Sequence, residues 1–167
     1  MNKYISIAFV LAVILCSWLG WYFSDKQVIK RQLIGFSWDL SKEEEESTME
    51  TALKMRGIKA GLAAKCLVLI PEGNHSKNLE NEMIIRYLIY FRNRFERISV
   101  LFAEDMSITI PTKGEAVVQS TVLLHKQKMG QEPVNVSAPV ELSLKKQEGE
   151  WLLNQAELAK VLVEDLD

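Results

Sequence analysis

Hydrophobic residues along this chain fall into three successive patterns. Residues 4–23 read YISIAFVLAVILCSWLGWYF and carry no charged side chain. From there to about residue 97, apolar positions recur every three or four residues. From Ile98 onward they recur every second residue. Spacing near four places side chains on one stripe of a helix, and spacing of two places them on one face of a strand. The chain therefore predicts an apolar leader, then a run of helices, then a run of strands.

Residues 24–42 predict a helix with Ile29, Leu33, Phe36 and Leu40 on one stripe. The run Glu43, Glu44, Glu45 and Glu46 reads as a solvated linker, because like charges repel and favour water. Ser47 followed by Glu50 is the signature of a capping box. The helix it opens is expected to reach about residue 65, through Leu53, Ile58 and Leu62, with Gly57 and Gly61 four apart where another element packs closely. Cys66 to Ile70 is a short continuous apolar run, expected as a buried strand, and Pro71-Glu72-Gly73-Asn74 supplies a turn. A third helix is predicted over residues 79–95, with Leu79, Met83, Tyr87, Phe91 and Phe95 in step.

The period then changes. Ile98, Val100, Phe102, Met106, Ile108 and Ile110 share one parity, with an irregularity at Glu104. Strands are predicted over residues 115–126 and 134–144, and Glu148-Gly149-Glu150 turns the chain into a last strand at Trp151-Leu152-Leu153. Residues 159–163 extend that strand or form a short terminal element. Segregated helices and strands define an α+β class, here about three helices packed on a curved antiparallel sheet. The expected division is an N-terminal anchor over residues 1–23, a juxtamembrane helix and acidic linker over 24–46, and the remainder of one domain over 47–167.

The leader has the length of a transmembrane helix: 20 residues at ~1.5 Å each span ~30 Å, the thickness of a hydrocarbon core. Tyr4 at one end and Trp18, Trp21 and Tyr22 at the other fall where interfacial aromatics belong. Bulky Leu19, Trp21, Tyr22 and Phe23 argue against signal-peptide cleavage, which requires small residues. Lys3 and the terminal amine precede the span, whereas Lys26, Lys30 and Arg31 follow it. Counted strictly, the positive-inside rule places the C-terminal domain in the cytoplasm, but so few charges around a three-residue head leave sidedness open.

Charge and thiol content narrow the chemistry. Twenty basic against 22 acidic side chains give a net charge of -2, so no basic field favours nucleic acid. Cys16 lies in the leader and Cys66 in a predicted strand, so no disulfide follows, and no Cys/His pair has metal-ligand spacing. Neither a Gly-rich phosphate loop nor a nucleophile elbow is present, and no cofactor or metal is expected.

Several stretches resemble the nuclear transport factor 2-like, or SnoaL-like, superfamily, over residues 29–153. They are the helix ending in YFRNRFERISV, Glu104-Asp105 leading into SITI, the strand GEAVVQSTVLL, and the closing PVELSLKKQEGEWLL from Pro139 to Leu153. The match is closest to membrane-tethered bacterial members, and it implies a cone-shaped domain on the outer side of the inner membrane, against the charge count. Enzymes of this fold keep a general acid/base inside the cone. That makes Asp39 and Asp105 the candidate catalytic carboxylates, with Glu104, His125 and Tyr87 weighed beside them. His125, at a strand end beside Lys126 and Lys128, is expected to be exposed, and His75 falls in a polar turn. Trp38, Tyr87, Phe91, Phe102 and Trp151 are candidate pocket residues, and they equally fit a plain aromatic core.

Three functions follow from this reading. The first is a membrane-anchored, non-catalytic binding or assembly module of the cell envelope, pairing with itself or a protein partner through its sheet. The second is a small-molecule binder or isomerase- or dehydratase-like enzyme that uses the cone. The third is a structural subunit of a secretion apparatus.

Overall fold

The computed structural model describes residues 13–15, 20 and 22–163. The expected transmembrane segment, residues 4–23, falls for the most part outside the described residues. Among those described, no helix is long and apolar enough to cross a membrane.

Three helices lead the domain or interrupt its first strands: α1 (Asp25–Leu40), α2 (Thr48–Ala60) and α3 (Asn81–Asn93). Ile29, Leu33 and Phe36 of α1 are buried, as the four-residue spacing requires. At the start of α2 the Ser47 hydroxyl accepts from the Glu50 amide, while the Glu50 carboxylate takes the Ser47 amide at 2.7 Å, completing the capping box.

Seven strands form one sheet: β1 (Leu62–Ile70), β2 (His75–Glu80), β3 (Arg97–Phe102), β4 (Ser107–Thr112), β5 (Glu115–Gln127), β6 (Val134–Gln147) and β7 (Glu150–Leu158). Their order is β2-β1-β7-β6-β5-β3, and β4 also pairs with β5. All pairings after Ile98 are antiparallel, but β1 runs parallel to β7. The sheet is therefore mixed rather than purely antiparallel. A single turn of 3-10 helix, Pro71–Gly73, joins β1 to β2, with Asn74 left-handed at φ 49°. A short helix, α4 (Lys160–Val163), follows β7.

Three expectations change. The second helix stops at Ala60 instead of running to residue 65: Gly61 caps it, and its carbonyl accepts from the Leu153 amide at 2.9 Å, which starts the pairing of β1 with β7. Sheet pairing thus overrides the helix propensity of residues 62–65. Residues 75–80, expected in part as turn, form edge strand β2, whose polar sequence gives no alternation to read. The acidic run is also not wholly solvated, since the Glu46 side chain is 3% exposed.

Burial follows strand parity closely. Ala116, Val118, Ser120, Val122 and Leu124 of β5 face inward, as do Ala138, Val140, Leu142 and Leu144 of β6. Two clusters make up the core. One packs Ile29, Leu33, Met55, Ile58 and Trp151, and the other packs Phe95, Ile98, Val100, Val122 and Leu124.

Candidate functional site

Between the helices and the sheet lies a cavity of about 260 Å³, bordered by members of both core clusters. α1 contributes Phe36 and Leu40, and α3 contributes Ile84, Leu88, Phe91 and Arg92. The sheet supplies Cys66 and Val68 from β1, Val100 and Phe102 from β3, Val122 and Leu124 from β5, Leu142 from β6, and Ala156 from β7. Leu162 and Val163 of α4 close one side. Inward parity on each strand gives this wall its character, because every second residue there is aliphatic or aromatic.

Among the described residues Arg92 is the one charged residue on this wall; its two terminal nitrogens are committed elsewhere, while its Nε is buried without a hydrogen-bond partner. Arg92 is 2% exposed and donates from Nη1 to the carbonyls of Asp39 (3.1 Å), Leu40 (2.6 Å) and Ser41 (3.0 Å). Those are the open carbonyls at the C-terminal end of α1, where a cation is favoured. From Nη2 it donates to the buried Glu46 carboxylate, which Lys54 also reaches at 2.8 Å. Lys42 returns the arrangement by donating to the carbonyls of Arg92 (3.1 Å) and Phe95 (2.6 Å) at the end of α3. The end of α1 is thus capped by a cation from α3, and the end of α3 by Lys42, which follows α1, so the two helix ends are tied together.

The sequence pattern sets Glu46 in a solvated run and Arg92 with Arg86, Arg94 and Arg97 off the apolar stripe, whereas the structure buries both. The signal for Arg92 lay in its position: it is four residues beyond Leu88, in step with Ile84 and Leu88, whereas Arg86 and Arg94 are not. An arginine on a buried stripe calls for a carboxylate partner.

The two candidate carboxylates lie away from the cone wall. Asp39 is on the last turn of α1, against Gly57 of α2, where a Cβ at residue 57 would run into its carboxylate. Burial raises its pKa, while the nearby charges of Lys54 and Arg92 pull the other way. Asp105 sits in the turn between β3 and β4. Its carboxylate accepts from the Thr121 hydroxyl (2.7 Å), the Thr121 amide (3.1 Å) and the Ser120 hydroxyl (3.3 Å). These donors, the Thr121 hydroxyl first, hold its pKa below the usual carboxylate range, so it is a weak base that anchors a turn. Glu104 is exposed in the same turn.

Of the five aromatic candidates, Phe91 and Phe102 line the cavity. Trp38 points outward at 73% exposure. Tyr87 meets Lys77 at the surface, with the ammonium 5.7 Å from its ring. Trp151 is buried beneath α1, where its Nε1 donates to Asp25 at 3.0 Å and its carbonyl accepts from Gln32 at 2.8 Å. His125 is half-buried on the outward parity of β5, 2.6 Å from the Asn135 side chain, and His75 is exposed on β2. Cys66 reaches the cavity, and burial pushes its thiol up to about 11, which removes thiolate chemistry near neutral pH.

A second, open depression of about 480 Å³ lies over Gln119, Glu141 and Glu157, which are neighbours in register, with Glu72 and Asp105 at its rim. Each of these last two carboxylates already accepts a hydrogen bond, Glu72 from the amide of Lys160 at 3.1 Å. Among the described residues no group of three or more His, Cys, Asp or Glu side chains is placed to hold a metal ion.

This architecture, three helices over a curved sheet that encloses a cone, is the nuclear transport factor 2-like (SnoaL-like) fold. Solved structures of that fold superpose on the chain. A protein of Novosphingobium aromaticivorans, provisionally assigned as a scytalone dehydratase, is 17% identical with a TM-score of 0.64, covering 80% of this chain and 81% of its own. The Kfla4162 protein of Kribbella flavida is 11% identical with a TM-score of 0.66, covering 81% and 90%. A nuclear transport factor 2-like protein of unknown function from Shewanella oneidensis is 9% identical with a TM-score of 0.57, covering 79% and 96%. At such identities the likeness is one of fold alone. No family model matches the chain, and no curated protein does.

Proposed function

We propose that this chain is a non-catalytic binding module, tethered to the bacterial inner membrane by residues 4–23, whose cone takes a small apolar ligand. The observation that carries the reading is the cone wall. Among the described residues it is aliphatic and aromatic except for Cys66 and Arg92, and the terminal nitrogens of Arg92 are spent on helix ends and Glu46. General acid/base catalysis needs a titratable group within hydrogen-bond reach of the reacting atom. Asp39 and Asp105, the carboxylates best suited by sequence, are on neither side of this cavity.

Size sets the ligand class. Drug-sized ligands occupy pockets of ~300–1,000 Å³, and an apolar cavity of ~150 Å³ takes benzene. A cavity of about 260 Å³ between these suits a single substituted ring or a short acyl chain. The tether rests on the uncharged length of residues 4–23 and their aromatic ends, and the outer side of the membrane rests on the resemblance to tethered bacterial members.

Titration calorimetry with ethylbenzene tests the ligand reading on the full chain. Saturable binding at one site is expected, and Ala156→Leu, which fills the cavity wall, is expected to abolish it. Absence of saturable binding to the parent chain overturns the reading.

Self-association through the sheet is a second reading, favoured by one feature. Leu101 and Leu123 are direct partners across β3 and β5, and both are exposed on the outward face of the sheet. Ultracentrifugation of the parent and Leu123→Lys would separate it from a monomeric module.

A further inference from the structure

Building on the tethered reading above, we propose that α1 lies along an anionic lipid surface, with Lys30, Ile34 and Trp38 among the headgroups. These three residues are four apart and exposed along α1, beside the buried stripe of Ile29, Leu33, Phe36 and Ser37, with Trp38 farthest from it. Ile34 is 42% exposed and Trp38 73%. A basic residue, a branched aliphatic one and an indole on one outward stripe are what an interfacial helix presents to a bilayer.

The chain enters α1 directly from the uncharged run that ends at Phe23, so the tether would bring this helix, before any other, to the membrane. Ser24 is extended (φ -62°, ψ 143°), so α1 begins at Asp25. Arg31 reaches back across this start: its Nη1 donates to the Tyr22 carbonyl at 2.9 Å, and its guanidinium lies 4.1 Å from the Tyr22 ring centroid. On the far side, Asp25 accepts from Lys146 at 2.7 Å and from Trp151, which pins the start of α1 to β6 and β7. A lipid surface that takes α1 would therefore orient the whole cone. Lys26, Lys30 and Arg31 leave the first two turns net positive once Asp25 is paired, complementary to anionic headgroups. A second copy of the chain fits less well. Three side chains of at most ~250 Å² each fall short of the ~800 Å² per partner of a stable interface.

The test reconstitutes the full chain, carrying Trp18→Phe and Trp21→Phe, into vesicles of phosphatidylcholine and phosphatidylglycerol with brominated acyl chains. The chain is expected to float with the vesicles, and its emission is expected to be quenched relative to unbrominated lipid. Trp38→Ala should remove that quenching, because Trp151 is buried. Lys30→Gln should lower the docked-to-free ratio about fivefold, one basic side chain's share of the attraction to an anionic surface. Flotation without quenching of Trp38 overturns the docking and leaves the tether standing. Failure to float overturns the tether and the docking together. Quenching that Lys30→Gln leaves unchanged also overturns the proposal, since the charge pairing is part of it.

Discussion

Arg92 and Glu46 face each other in the interior, and neither can lose its partner cheaply. Taking one member from a buried ion pair costs about 3–5 kcal/mol, because the other is left charged and dry. Arg92→Met is accordingly expected to lower the unfolding free energy by about that amount in urea titrations, since three carbonyls of α1 lose their donor as well. The double change Arg92→Met with Glu46→Leu should recover part of the loss. Asp39 offers a test of opposite sign. Burial raises its folded pKa above the ordinary 3.8, so the folded state favours the neutral acid. The contribution of Asp39 to stability is then most favourable at low pH and declines as pH rises through the folded pKa. Asp39→Asn should raise the melting temperature at pH 7 relative to the parent, with the difference shrinking toward pH 3. A difference that grows toward low pH would show Asp39 to be stabilised as an anion.

At the scale of elements, the close approach of α1 and α2 depends on two glycines. A Cβ on Gly61 would run into the Phe36 ring, with the Gln32 amide nitrogen 2.8 Å away. Phe36 is buried and cannot swing aside, so Gly61→Ala is expected to cost about 1–3 kcal/mol by overpacking, read by chemical denaturation. The spacing of Gly57 and Gly61 signalled this approach from sequence, although Gly61 proves to be the end of its helix rather than its interior. The long strands were legible for a simple reason: one face is buried and the other is not, so β5 alternates over its full length and β6 from Ala138 to Leu144, although Val134, on the same parity, is half exposed. β2 and the parallel pairing of β1 were not legible. β2 is an edge strand with polar residues on both faces, and no local pattern records which distant strand β1 will join. The aromatic candidates divide on the same principle. Phe91 and Phe102 share the parity of the core, whereas Trp38 is one residue off the buried stripe of α1.

For the whole molecule, the arrangement of the cone matters more than any single residue in it. The caps at the ends of α1 and α3 tie those two ends together, while the inward faces of β1, β3, β5, β6 and β7 supply an aliphatic floor. A cavity between two packed clusters is then what remains when helices and a curved sheet meet at this spacing. Its apolar lining favours an apolar guest, and the hydrogen bonds from Thr121 and Ser120 hold Asp105 in the turn between β3 and β4, off the cavity wall. Fold class was readable from the change in spacing near Ile98. The position of the cavity depended on long-range register and was not. The most direct measurement of the central claim is a methyl-resolved carbon–proton NMR titration of the chain with ethylbenzene. The account predicts saturable shifts concentrated at Ile98, Val122, Leu124 and Leu142, with the methyls of Leu101 and Leu123 unmoved. Shifts confined to the outer sheet face, or no saturable shift at all, would contradict it.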